Sequence, residues 1–255
     1  MRLATAVGVP LVVLAAIALL GQPAAAGYTD VAHALGVDVK MAGEVHDASQ
    51  PEWPAFPEII GGGACWADFD GDGSDDLYVV NQAYNPQSPF VGAWAAAEDP
   101  HSHLFLNDGQ GGFVDVSAAS GADGRGFGYG CSAADYDGDG HTDLFVTGFG
   151  VSKLYHNLGN VRFEEVGAQA GIPQEGACGE YACMSTGSAW GDYDLDGDLD
   201  LYVSNYVETT LTDHMRGPSN HVAQANWLLR NEGDGTFTEV GQDAGVAGQA
   251  TDTNG

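Results

Sequence analysis

Polar and apolar positions along this chain follow a block pattern that returns three times, with no 3.6-residue period to suggest a helical solenoid. Each block begins with an acidic, glycine-containing run, Asp-x-Asp-x-Asp-Gly-x-x-Asp, and ends in Leu-aromatic-Val; the copies span Asp68 to Val79, Asp135 to Val146 and Asp192 to Val203. A second signature follows each copy. Leu104-x-x-Asn107 leads to Phe113-x-x-Val116, Leu154-x-x-Asn157 to Phe163-x-x-Val166, and Leu228-x-x-Asn231 to Phe237-x-x-Val240, always through a Gly-containing turn. In the middle copy the β-patterned runs are 130–134, 144–147, 153–157 and 162–166, and the last two are joined by an Asn-Leu-Gly-Asn hairpin turn.

Four short antiparallel strands per repeat predict a propeller blade, so the fold class is all-β with about three complete blades of a partial ring. The first strand of each repeat carries Gly63, Gly130 or Gly187 and mostly small residues after it, as an innermost strand needs where blades crowd a channel. Blades are expected at about 60–117, 126–168 and 184–241 within a propeller region 27–255. Residues 28–32, Tyr-Thr-Asp-Val-Ala, followed by Leu35-Gly36-Val37, match the fourth strand of a blade without its first three. By the interval from Phe113 to Asp135 or from Phe163 to Asp192, another Asp loop would fall beyond Gly255. The expectation is a fragment of a longer ring, since closed propellers use about four to eight blades; the alternative is an arc that self-associates through its open blade edges.

The Asp loops carry the candidate chemistry. Carboxylates at loop positions one, three, five and nine converge because the Gly at position six lets the backbone turn sharply, and position seven can add its carbonyl. The metal-ligand set is then Asp68, Asp70, Asp72, Ser74 and Asp76; Asp135, Asp137, Asp139, His141 and Asp143; and Asp192, Asp194, Asp196, Asp198 and Asp200. Hard oxygen donors in a flexible loop select Ca²⁺ over Mg²⁺, giving about three ions. These are not EF-hands, because the twelfth position is Val79, Val146 or Val203 where that loop needs a bidentate Glu.

With these motifs in view, the chain resembles the FG-GAP or VCBS-type repeats of integrin α-subunit propellers and, more closely, the secreted group related to cartilage acidic protein, whose members often end in an ASPIC/UnbV domain. The resemblance covers residues 28–255. It implies a calcium-binding, seven-bladed propeller for extracellular recognition or adhesion, with metal ligands on the Asp positions named above. The stretch to Gly255 holds no ASPIC/UnbV or EGF-like segment, and its blade count is about half that of such a ring.

Composition narrows the partners. Seven Lys+Arg against 36 Asp+Glu give a net charge of −29, which excludes ordinary nucleic-acid binding and attraction to anionic membranes. The first 26 residues read as a signal peptide: Met1-Arg2, an apolar run from Leu3 to Leu20, and Ala24-Ala25-Ala26 as the cleavage site. Secretion, or a periplasmic or cell-surface location, follows, with an uncleaved anchor as the alternative and no membrane insertion after cleavage. Export permits disulfides among the four cysteines, and Cys178 with Cys183 is the expected pair. Cys65 lies three residues before its Asp loop and Cys131 four, placing them on opposite strand faces; buried free thiols are as natural a reading as a bridge.

The repeats differ where ligands are usually met. Asp76 to Asn107 and Asp200 to Asn231 are each 31 residues, against 14 from Asp143 to Asn157. The two insertions carry Tyr84, Phe90, Trp94, His101 and His103, and Tyr206, Arg216 and Trp227. Aromatic loop residues suit an extracellular protein or glycan, and Tyr84, Phe90, Trp94, Tyr206, Arg216 and Trp227 are the candidate ligand contacts. No G-x-S-x-G or H-E-x-x-H motif is present, so a non-catalytic binding module is preferred to a carbohydrate-active hydrolase or lyase, or its accessory domain.

Overall fold

The computed structural model describes residues 29–39, 62–81, 101–126, 128–174, 177–178, 183–206 and 223–248. The chain divides into two compact units, Met1–Val31 and Ala32–Gly255. In the first, only residues 29–31 are described, and they carry no regular element. The signal-peptide expectation lies outside the described residues.

The second unit is all-β among its described residues apart from two short turns of helix, His33–Leu35 and Ser117–Ser120. Its strands form three antiparallel meanders. The first blade is β1 (Ala64–Ala67), β2 (Asp76–Val79), β3 (His103–Asn107) and β4 (Phe113–Asp115). The second is β5 (Gly128–Ala134), β6 (Asp143–Gly150), β7 (Lys153–Asn157) and β8 (Phe163–Glu165). The third is β9 (Cys183–Gly191), β10 (Asp200–Asn205), β11 (Trp227–Asn231) and β12 (Phe237–Glu239). The predicted strands of the middle copy are all present; β5 is longer than expected because a bulge at Tyr129 carries the ladder on to Gly128, and β6 because Phe149 and Gly150 pair with Met184 and Cys183 of β9 in the third blade. The segment 28–32 was expected to be a strand, but its described part, 29–32, is not one; the third strand that would pair with it has no counterpart among the described residues.

Alternation along the strands builds the interfaces between blades. Tyr78, Val80 and Leu104 of the first blade meet Leu144, Val146, Tyr155 and Phe163 of the second. The opposite face of the second blade presents Phe145 and Leu154 to Leu201, Val203, Leu229 and Phe237 of the third. A blade therefore has two apolar faces, which is why Leu-aromatic-Val runs are apolar at every position. Innermost strands also meet: Ser132 of β5 and Ser188 of β9 are joined by a 2.7 Å hydrogen bond.

This geometry corrects the reading of two cysteines as buried thiols. Cys65 and Cys131 do lie on opposite strand faces, but opposite faces of successive blades confront one another, and the pair forms a disulfide linking β1 to β5. Closing a 66-residue separation stabilises the fold by about 4 kcal/mol in the chain-entropy description. Cys178 is bonded to Cys183.

The turn after each fourth strand seats on the next blade. A side-chain carbon at Gly121 would fall 2.7 Å from the Phe163 carbonyl oxygen, and one at Gly171 would fall 2.6 Å from that of Phe237, so both contacts require glycine. Gly36, after the His33–Leu35 turn, stands in the same 2.6 Å relation to Phe113. Residues 33–36 thus do for the first blade what a preceding blade's last turn does for the others.

The second residue of each Asp loop completes the interface. Phe69 packs edge-on to Phe163 at 5.9 Å, and Tyr136 stacks on Trp190 at 6.2 Å and contacts Phe237 at 5.6 Å. Tyr193, the equivalent in the third blade, is 45% exposed, against 2% for Phe69 and 5% for Tyr136. Truncating Tyr136 to Ala should therefore lower the unfolding free energy by about 3–5 kcal/mol in a denaturant titration, whereas Tyr193→Ala should cost less than about 1 kcal/mol.

Candidate metal centre

Within each loop the acidic side chains first serve the backbone. Asp68 accepts the N–H groups of Gly71, Asp72 and Gly73 at 2.7–3.1 Å. Asp135 accepts those of Asp139 and Gly140, and Asp192 those of Asp196 and Gly197. Position five accepts the N–H of position seven: Asp72 from Ser74, Asp139 from His141 and Asp196 from Asp198, at 2.7–3.0 Å. The glycine at position six takes φ of +88° in Gly73, +90° in Gly140 and +102° in Gly197, which a side chain would resist. Position four is also left-handed, and there Leu195 replaces Gly71 and Gly138 at a φ of +65°, with 86% of its surface exposed.

The ninth position is different in kind. Asp76, Asp143 and Asp200 are buried at 0%, 0% and 1% exposure. One oxygen of each accepts the N–H of the loop's second residue, Phe69, Tyr136 or Tyr193. The other accepts the N–H of the Asn that ends the third strand, Asn107, Asn157 or Asn231, at 2.7–2.9 Å. That Asn then reaches the preceding blade: Asn157 Nδ2 donates to the Phe69 carbonyl at 3.0 Å, and Asn231 Nδ2 to the Tyr136 carbonyl at 2.8 Å.

Positions one, three and nine converge in all three loops. One carboxylate oxygen from each of Asp68, Asp70 and Asp76 lies within 4.8 Å of the others, as do those of Asp135, Asp137 and Asp143 and of Asp192, Asp194 and Asp200. Position five joins such a group only in the middle loop, where Asp139 gathers with Asp137 and His156. Position-seven side chains point elsewhere: a carbon added at Gly159 would lie 3.0 Å from His141 Nε2, and one at Gly233 would lie 2.7 Å from Asp198 Oδ2. The His141 and Asp198 side chains therefore stand against the hairpins at Gly159 and Gly233 that join the third and fourth strands of their blades, outside the groups formed by positions one, three and nine.

His156 is absent from the sequence-derived ligand set. Its Nδ1 lies 3.3 Å from Asp137 and 3.2 Å from Asp143. The signal for it is its place immediately before Asn157, since the Asn is bonded to the ninth-position Asp; the equivalents are Leu106 and Arg230, and Arg230 pairs instead with Glu232.

Other candidates separate. Tyr206 is 50% exposed at the end of the third blade. Trp227 is only 7% exposed and packs in the core with Leu201 and Leu229, because it opens β11 on the face turned to the second blade; this corrects its reading as a ligand contact. His101 and His103 do not converge on a metal group among the described residues: His103 stacks on Phe105 and faces Asp115, while His101 faces Arg125. Tyr84, Phe90, Trp94 and Arg216 lie outside the described residues.

The arrangement is electrostatically costly without a cation. Burial pushes the Asp143 carboxyl up to about 6, with Asp137 adding repulsion and the Asn157 and Tyr136 N–H groups opposing the shift. Burial likewise raises Asp76, against its bonds to Asn107 and Phe69. Asp194 is raised by local desolvation and then by Asp196, Asp200 and Asp192.

A partial propeller with one acidic loop per blade defines a class of repeat protein. The model of the FG-GAP-like repeat family matches residues 68–146 and again 135–203, together more than half of the chain, and the chain belongs to that family. No curated protein is matched. Among solved structures, the chain is similar to an Agrocybe aegerita lectin described as specifically recognising non-reducing terminal N-acetylglucosamine, at 16% identity and a TM-score of 0.38. The likeness covers 69% of this chain and 37% of the lectin, so the chain spans little more than a third of that protein's length.

A carboxyl whose pKa is higher in the folded than in the unfolded state binds its proton more tightly when folded, so its stabilising protonated form is lost as pH rises. For Asp143 the window runs from the ordinary value of 3.8 up to about 6. In EGTA, chemical denaturation should show Asp143 eroding stability across that window, and Asp143→Asn should flatten this part of the profile. Millimolar calcium should remove it.

Proposed function

We propose that the chain is a secreted, calcium-stabilised FG-GAP propeller that acts as a non-catalytic extracellular recognition module. The observation that carries the reading is the threefold convergence of carboxylates from positions one, three and nine of equivalent loops. Three hard oxygen donors on a flexible loop, with a backbone carbonyl at position seven within the same turn, suit Ca²⁺, whose coordination number and geometry are permissive. When bound, the ion supplies positive charge against carboxylates that otherwise repel one another within one turn of chain.

The two disulfides and the FG-GAP repeats point to an extracellular or otherwise oxidising compartment. Among the described residues, no helix is long and apolar enough to cross a membrane. The role of calcium in this reading is mechanical: it sets the loop that presents the second-position aromatic and carbonyl to the next blade. Recognition then falls to the loops and to the end of the arc opposite the Asp loops, with an extracellular protein or glycan as partner.

Thermal unfolding followed by circular dichroism, in EGTA and at millimolar calcium, tests the metal reading. Each site held at 100 times its dissociation constant adds about 2.7 kcal/mol, so three should raise the midpoint by many degrees. Asp137→Ala should remove roughly one third of the calcium-dependent gain while leaving the EGTA midpoint equal or higher. A midpoint unmoved by calcium in a cooperatively folding sample would overturn the assignment.

A further inference from the structure

Cationic side chains are scarce in this chain, seven among 255 residues, yet two of them line one pocket. The pocket lies between the first two blades, away from the Asp loops, at the end where the links between β2 and β3 and between β6 and β7 emerge. It has a volume of about 250 Å³ and is lined by Arg125 and Lys153 together with Tyr78, Val146 and Tyr155. Gly124 brings the backbone against the lysine: a side-chain carbon there would lie 3.3 Å from Lys153 Nζ and 2.2 Å from the Tyr155 hydroxyl. Ser102, 3% exposed, adds a buried hydroxyl to the lining.

The unusual feature is the company these cations keep. In a chain with 36 carboxylates, neither Arg125 nor Lys153 forms an ion pair with one among the described residues. Lys153 Nζ instead donates to the Arg125 carbonyl at 2.8 Å, and the Arg125 guanidinium lies 3.5 Å from His101 Nε2. Burial lowers the Lys153 amine from its ordinary value, against the more distant attraction of Glu165 and Asp123. A partly buried ammonium with no carboxylate in contact is costly, and an incoming anion would offset that cost. The β6–β7 link, Val151-Ser152, is short where the other two blades carry their long insertions.

We propose that this pocket binds a compact anionic group, a carboxylate or sulfate carried on a small polar ligand, through the Arg125 guanidinium and the Lys153 ammonium. The guanidinium fork gives planar, two-point recognition of such a group, and the ammonium adds a point charge beside it. A single acidic sugar unit is of a size that the volume admits. The proposal rests on the recognition reading above and supplies it with a site; the metal loops take no part in it.

The test is NMR or calorimetric titration of the calcium-loaded chain, at fixed ionic strength, with sodium glucuronate, glucose and sodium sulfate. Glucuronate should bind, and glucose roughly tenfold or more weakly, as the loss of a charge-assisted contact implies. Arg125→Gln should weaken glucuronate by about tenfold; this side chain is exposed, so the fold should persist. Lys153→Gln should do the same, and if it loosens the Arg125 loop the Arg125 variant still decides. Sulfate binding that is equally sensitive to Arg125→Gln would support the site with sulfate as the preferred group. No glucuronate or sulfate binding, or binding indifferent to both substitutions, would overturn the proposal. A retained calcium-dependent rise in the thermal midpoint would then show that only the pocket has failed, whereas loss of that rise would sink the metalloprotein reading independently.

Discussion

One buried carboxylate per blade joins three levels of this structure. Asp76, Asp143 and Asp200 each fix the start of an Asp loop with one oxygen and the end of the third strand with the other. The Asn so positioned passes its amide to the loop carbonyl of the preceding blade, as Asn157 does to Phe69 and Asn231 to Tyr136. Loop shape, blade closure and the joint between blades are thereby linked through one short polar relay in an apolar setting, where satisfied hydrogen bonds are strong and broken ones costly. The expense of the relay is the buried charge, and the raised Asp143 and Asp76 carboxyls record it. A cation among positions one, three and nine would meet that expense, so the acidic loop and the joint between blades form one device.

The two ends of the arc carry different chemistry. At one end, the Asp loops and the β3–β4 hairpins gather backbone N–H groups and carboxylates around the candidate metal centres. At the other, the glycine-lined pocket holds two of the seven basic side chains of a strongly acidic chain. The lateral faces differ again. Trp66, 57% exposed and 5.9 Å from Phe113, repeats the pairing of Trp190 with Phe237 that receives Tyr136. With Gly36 already seated on Phe113, the leading face of the first blade has the form of an interface between blades, and the exposed Tyr193 marks its complement on the third.

Much of this was legible in the sequence because the repeat is physical as well as textual. Asp-x-Asp-x-Asp-Gly encodes a loop, Leu-aromatic-Val a strand buried on both faces, and Leu-x-x-Asn the strand that bonds to the ninth-position Asp. What was not legible depends on how one blade faces the next. Cys65 and Cys131 sit in different registers, so free thiols read as naturally as a bridge, and only the confrontation of opposite faces across an interface settles that they are joined. Trp227 read as a loop aromatic because it was counted with the insertion that precedes β11, whereas it is the first residue of that strand and lies in the core. His156 occupies a position of the repeat that Leu106 and Arg230 fill in the other copies, so its one signal, the place immediately before Asn157, gains meaning only once that Asn is seen bonded to the ninth-position Asp. The ninth-position Asp was read as one ligand among four, whereas its two backbone partners give it a structural part that spacing alone does not reveal.

The relay is tested most directly by comparing Asn157→Ala with Asn107→Ala in equilibrium denaturation, each in EGTA and in calcium. Asn157 is fully buried and donates to the preceding blade as well as to the Thr142 carbonyl, while Asn107 donates to the exposed Asp75 carbonyl of its own loop. The account predicts a loss of about 3 kcal/mol for Asn157→Ala in both conditions, and about 1 kcal/mol or less for Asn107→Ala. Equal losses at the two positions, or an Asn157→Ala loss that appears only when calcium is present, would contradict it.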